Sequence, residues 1–149
     1  MQVLQPQDPL TTSFLAEFQR CREWIKNALK FAHDSHSPED VLIMCQKGDA
    51  QFWSFKDSVI ITEIIDYPKR RVLRFWLAGG KLKTLLQVEK KIIHWSKFYS
   101  CEGVEINGRR GWERVLKDYK PSAITLVKEI YYEQRRKKRS ANCKYSSFS

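Results

Sequence analysis

Long apolar runs are missing from this sequence. Stretches such as Val59-Ile60-Ile61 fall far short of the ~20 residues that a membrane-spanning helix needs, so no such helix is expected. The first residues, Met1-Gln2-Val3-Leu4-Gln5-Pro6, contain no basic stretch followed by an apolar one, and the chain is not expected to be secreted. Cysteine is sparse: Cys21, Cys45, Cys101 and Cys143 are never paired at the spacing of a zinc site or a redox motif. The first three sit among apolar residues and read as free core thiols, which suits a reducing cytoplasm. His33, His36 and His94 also lack ligand spacing, so no metal is expected.

What the sequence has is apolar bulk and positive charge. Its 149 residues are 42% hydrophobic and 13% aromatic, enough for one domain with a sizeable core. The net charge of +10 is uneven. Arg135, Arg136, Lys137, Lys138, Arg139 and Lys144 lie in a stretch without acids, so much of the basicity is expected to belong to a tail. Such a tail suits nucleic acid, by counterion release, or an acidic partner, and it equally suits a solvated terminus.

The apolar pattern changes period along the chain. Residues 1–11 have no period and read as a loose arm. Thr12 or Ser13 is placed to cap a helix in which Phe14, Phe18, Cys21, Ile25 and Leu29 form one stripe. Ser37-Pro38-Glu39-Asp40 starts a second helix, and Gly48 stands near its end. Gln51-Phe52-Trp53-Ser54-Phe55, Val59 to Ile65 and Arg71 to Leu77 then read as three strands of an antiparallel meander. Ala78-Gly79-Gly80 is expected to turn the third strand into a helix that carries Leu82, Leu85, Leu86, Ile92, Ile93 and Trp95. A short strand, Val104-Glu105-Ile106, a short helix from Arg110 to Lys117 and a last strand over residues 123–130 complete the order. That order, α-α-β-β-β-α-β-α-β, implies an α/β (α+β) domain with a mixed sheet over residues 12–132, between an arm (1–11) and a basic tail (133–149).

The order and spacing over residues 14–130 resemble the GCN5-related N-acetyltransferase (GNAT) fold. Arg-Phe-Trp-Leu-Ala-Gly-Gly, followed by Gly-Val-Glu-Ile-Asn-Gly-Arg-Arg-Gly-Trp-Glu-Arg-Val-Leu, is more narrowly similar to small tailed-phage proteins with that fold. The resemblance implies a splay between the strand before the glycines and the next parallel strand, with acetyl-CoA lying in it. Phe75, Leu77, Gly79, Gly80 and Lys81 would then line the cofactor, and a backbone N–H near Phe75–Leu77 would meet the oxyanion. The departures are that the two glycines are adjacent, no Arg or Gln precedes them, and Leu116 stands where the family often has a tyrosine acid, with Tyr119 as the nearby candidate.

Glu63 and Glu105, each among apolar strand residues, are candidate bases for deprotonating an amine, or solvated and ion-paired glutamates. Asn107-Gly108-Arg109-Arg110-Gly111-Trp112 puts two guanidiniums and an indole at a strand's C-terminal end, where α/β sheets take ligands. Asn107, Arg109, Arg110 and Trp112, with Arg135 to Arg139, are therefore candidates for contact with a ligand or partner. Three functions follow. One is a phage-encoded, non-catalytic GNAT-like protein that acts in virion assembly or binds a phage structural or host protein, in the host cytoplasm or on the virion. The second is an acyl-CoA-dependent N-acyltransferase, and the third is a nucleic-acid-binding accessory protein.

Overall fold

Phe14, Phe18, Cys21, Ile25 and Leu29 share the buried side of a helix, α1 (Phe14–Leu29), as their spacing predicts. The computed structural model describes residues 3–108 and 111–132. Ser13 occupies the N-cap of α1, but its side chain makes no capping bond, contrary to the expectation for a hydroxyl there. The second helix, α2 (Pro38–Lys47), begins as its sequence predicts. The Ser37 hydroxyl accepts from the Asp40 N–H at 3.1 Å, and the Asp40 carboxylate accepts from the Ser37 N–H at 2.8 Å. Gly48 ends the helix at φ 85°, in the left-handed region that glycine tolerates best.

Three strands follow: β1 (Gln51–Phe55), β2 (Ser58–Asp66) and β3 (Arg71–Gly80). They form the predicted antiparallel meander. After α3 (Leu82–Lys97), the short β4 (Gly103–Ile106) pairs parallel to β3, giving a mixed sheet ordered β1-β2-β3-β4. A single turn, α4 (Gly111–Val115), comes next.

The sheet is covered on both faces. Phe52, Val59, Ile61 and Leu77 pack toward α1 and α2, whereas Trp53, Ile60, Leu73 and Phe75 pack toward α3. Adjacent residues of β1 and β2 divide between the layers because a strand alternates its side chains. Ile61, Leu73 and Ile92 are fully buried, and each such side chain contributes ~1.5–3 kcal/mol. Cys21 and Cys45 lie in the α1/α2 layer, where burial pushes their thiols up to about 11 and about 12.

Two sequence expectations need correction. Ala78-Gly79-Gly80 is not a turn after β3 but its last three residues, paired with Ile60, Val59 and Ser58 of β2. The glycines therefore extend the strand to the start of α3. Residues 123–130 form no strand and have no regular secondary structure. β-branched composition favours a strand only where neighbours exist to pair with, and Ile124 and Leu126 are exposed.

The chain divides into two compact units, Met1–Val115 and Leu116–Ser149. The helices and the sheet belong to the first.

Candidate functional site

The ladder between β2 and β3 slips by one residue in the middle. Ile61 faces Leu77 and Thr62 faces Phe75, which leaves Trp76 opposite no residue of β2. This is a β-bulge, and it reverses the alternation of β3. Leu73 and Phe75 point toward α3, whereas Leu77 points toward α1. Without the extra residue Leu77 would face the same side as Phe75.

The parallel ladder between β3 and β4 runs from Val72–Gly103 to Phe75–Ile106 and stops there. β3 continues to Gly80. β4 ends at Ile106, so from Trp76 onward this edge of β3 has no strand partner among the described residues. At the end of this edge lies the first turn of α3, which contains no acid. Lys81 is the N-cap, its side chain makes no capping bond, and Lys81 and Lys83 are exposed. A helix start with free N–H groups and nearby ammonium groups favours an anion.

The two glycines serve packing. A Cβ on Gly79 would lie 2.8 Å from the Trp24 Cβ, so glycine lets α1 approach β3 closely. Gly80 has φ 105°, and a Cβ there would strike the Asp57 carbonyl oxygen and the Ser58 backbone in the β1–β2 turn. Lys81 N–H donates to that same Asp57 oxygen at 3.1 Å.

Glu63, Arg74 and Glu105 stand in one row across three strands. Glu63 is paired with Arg74 in the β2–β3 register, and Arg74 with Glu105 in the β3–β4 register. The Arg74 guanidinium lies 3.6 Å from the Glu63 carboxylate and 3.3 Å from that of Glu105. The Tyr67 hydroxyl donates to Glu105 at 2.8 Å and accepts from Arg74 at 3.4 Å. Burial raises the pKa of Glu63, while Arg74 and His36 act to lower it, and burial prevails. Burial opposes the charge of Arg74, yet the bonds to Tyr67 and Glu105 prevail and its pKa is raised. The His36 ring meets the Trp76 ring edge-on at 4.8 Å, on the α1/α2 side.

The two sequence-predicted glutamates are thus brought together, around an arginine that the sequence reading did not select. Arg74, Tyr67, Trp76 and His36 were missed. The available signal was the opposite charge of Glu63 and Arg74, which a hairpin through Pro68-Lys69-Arg70 brings face to face. Phe75 and Leu77 flank the bulge on opposite faces, and Lys81 stands beyond it.

Asn107 is exposed just after β4. Trp112 is half-buried against the α3-side core, and its ring lies so close to Gly108 that a Cβ there would approach it to 2.6 Å. Tyr119 lies in the second compact unit, half-buried, with its N–H donating to the Leu116 carbonyl at 3.2 Å. Arg109, Arg110 and Arg135 to Arg139 lie outside the described residues. Among the described residues no three His, Cys, Asp or Glu side chains gather to hold a metal, and no helix is long and apolar enough to cross a membrane.

This architecture, an antiparallel meander followed by a helix and a strand parallel to the last meander strand, is a GNAT-like fold. The tetramutant of BH1408 protein from Bacillus halodurans is similar at a TM-score of 0.56 and 8% identity, over 87% of this chain and 100% of that one. A GNAT family acetyltransferase of Staphylococcus aureus is similar at a TM-score of 0.50 and 11% identity, over 77% and 93%. An integron cassette protein from the mobile metagenome of V. cholerae is similar at a TM-score of 0.50 and 11% identity, over 89% and 94%. At such identities the likeness is one of fold. No protein-family model matches the sequence, and no curated protein matches it.

Proposed function

We propose that this chain binds an acyl-CoA along the unpaired edge of β3 and transfers the acyl group to an amine. One observation carries the reading: β3 and β4 stop pairing after Phe75 and Ile106, at the Trp76 bulge, and the freed edge leads to the start of α3. An amide-bearing thioester arm fits beside such an edge, because the strand offers N–H and C=O groups that need partners. The pyrophosphate would sit at the start of α3, near Lys81 and Lys83.

For transfer, the amine nitrogen attacks the thioester carbonyl, the oxyanion is met by a backbone N–H at the bulge, and the thiolate leaves as the C–S bond breaks. The proton lost by the amine goes to a carboxylate, and Glu63 is the better base. Its raised pKa makes it a stronger acceptor than an ordinary glutamate. The leaving thiolate takes a proton from water.

The second reading is a non-catalytic, phage-encoded protein of this fold that binds an assembly partner through Asn107–Trp112 and the basic tail. The arrangement that favours it is the Arg74 guanidinium lying between both candidate bases. In a third reading the tail contacts nucleic acid, and deleting residues 135–149 would then reduce the salt dependence of DNA binding.

Isothermal titration with acetyl-CoA separates the first reading from the others. Saturable binding that Lys81→Glu weakens, with unchanged thermal stability, supports it. No heat at millimolar ligand overturns it. If acetyl-CoA binds but no amine is acylated, the non-catalytic reading stands.

A further inference from the structure

We propose that the outward face of α3 binds single-stranded nucleic acid, with Lys90, Lys91 and Lys97 on its phosphates and Phe98 stacked on a base.

At 3.6 residues per turn, Gln87, Lys90, Lys91, His94, Lys97 and the C-cap Phe98 fall within about a third of the circumference of α3. All six are exposed, and none is acidic. On the opposite side Leu85, Val88, Ile92 and Trp95 are buried against the sheet. One face of α3 therefore holds the fold together, and the other is free to meet a partner. The cations on the free face also lack internal partners. Arg20, Arg22, Arg71 and Arg74 are each paired with a carboxylate, whereas Lys90, Lys91 and Lys97 have no such pair among the described residues. Three ammonium groups on ~10 Å of helix, with no acid between them, make a local positive field that attracts a polyanion.

The C-terminal end of the stripe adds an aromatic ring. Phe98 is 67% exposed, and its ring stands nearly perpendicular to that of His94 at 5.6 Å. An exposed ring among cations suits an unstacked base: the ring covers the π face of the base while the lysines hold the flanking phosphates. A duplex keeps its bases stacked on one another and offers the ring no such face. An anionic bilayer suits the stripe less, because an interfacial helix buries an apolar face in the lipid, and the apolar face of α3 is already covered by the sheet. Lys81 and Lys83, the proposed seat of the pyrophosphate, are not required, so this surface does not depend on acyl transfer. It is also made of other residues than the basic segment 135–139.

The test is fluorescence anisotropy of a labelled oligothymidylate titrated with the full chain over a range of salt concentrations. Two variants are compared with the parent: the triple substitution Lys90→Gln, Lys91→Gln and Lys97→Gln, and the single substitution Phe98→Ala. Both should melt at the parent's temperature, because all four side chains are exposed. We expect saturable binding that weakens as salt rises. The triple substitution should reduce the slope of log affinity against log salt by about 2, at ~0.7 for each phosphate contact on a single strand. Phe98→Ala should weaken binding by about tenfold and leave the slope unchanged, because stacking releases no counterions. Absence of binding at low salt overturns the proposal. A slope that the triple substitution does not move also overturns it, and would assign the binding to the basic tail. If Phe98→Ala changes nothing and a duplex of the same length binds as tightly, the face is no single-strand site. Binding to vesicles of phosphatidylserine and phosphatidylcholine that the triple substitution abolishes, without binding to the oligonucleotide, would make the partner a membrane and overturn it too.

Discussion

Glu63 lies directly across the β2–β3 ladder from Arg74, and their charged groups are 3.6 Å apart. That contact is longer than the 3.3 Å between Arg74 and Glu105 on its other side. The arginine is therefore held more closely by the carboxylate that is also bound to Tyr67. Glu63 keeps a raised pKa in spite of its partner, because burial outweighs the attraction.

The sign of the linkage follows. An acid whose pKa rises on folding favours the native state only while protonated, below its unfolded pKa, and that contribution is lost as pH rises through the folded pKa. Glu63→Gln should therefore melt no lower than the parent protein at pH 7. Its advantage should shrink as pH falls into the ordinary carboxylate range. Thermal melts between pH 3 and 8 measure this, and a Glu63→Gln protein clearly less stable than the parent at pH 7 contradicts it.

Replacing Arg74 acts in the opposite sense. Arg74→Met leaves two half-buried carboxylates in one row without their shared cation, at a cost of about 2 kcal/mol at neutral pH. The loss should be smaller in acid, where the glutamates can take up protons. Urea unfolding at pH 7 and pH 4 would show both parts.

Glu17 links α1 to β1, accepting from Arg20 at 2.8 Å and from the Ser54 hydroxyl at 2.7 Å. These bonds pull its pKa down from 4.5 to about 2. A lowered pKa stabilises the fold above the unfolded value, and the benefit disappears as pH falls through the folded one. Because the pair is partly solvated, Glu17→Gln should cost only about 1 kcal/mol at pH 7. It should cost almost nothing near pH 2, as acid titration of both proteins would show.

Thr62 carries a buried relay. Its hydroxyl accepts from the Trp53 indole N–H at 2.9 Å and donates to Gln51 at 2.7 Å. Thr62→Val keeps the shape but leaves the indole N–H without an acceptor, at a cost of ~1–3 kcal/mol. Thr62→Ser retains the hydroxyl and should recover much of that loss. A calorimetric comparison of the two variants tests the bond apart from the packing.

The glycines of β3 should tolerate no side chain. Gly79→Ala puts a methyl group 2.8 Å from the Trp24 Cβ and forces α1 outward, at ~1–3 kcal/mol. Gly80→Ala adds a left-handed φ to a backbone clash and should be the more damaging of the two. Chemical denaturation gives the order, and the reverse order would assign the wrong reason to each glycine.

Local pattern was enough for the elements whose signals are local. The spacing of Phe14 to Leu29 defined α1, the Ser37–Asp40 box started α2, and the β-branched run from Val59 marked β2. Each depends on residues within a few positions of one another, so the sequence alone determined them, along with the meander and the mixed α/β class. Only the tertiary structure decided what lies between strands. A one-residue slip at Trp76 depends on register, and register is set by packing on both faces, which no single strand contains. The same holds for Gly79, whose reason is α1, and for Arg74, whose partners come from two other strands. Residues 123–130 show the converse: a strand-like sequence is not a strand until a sheet edge accepts it.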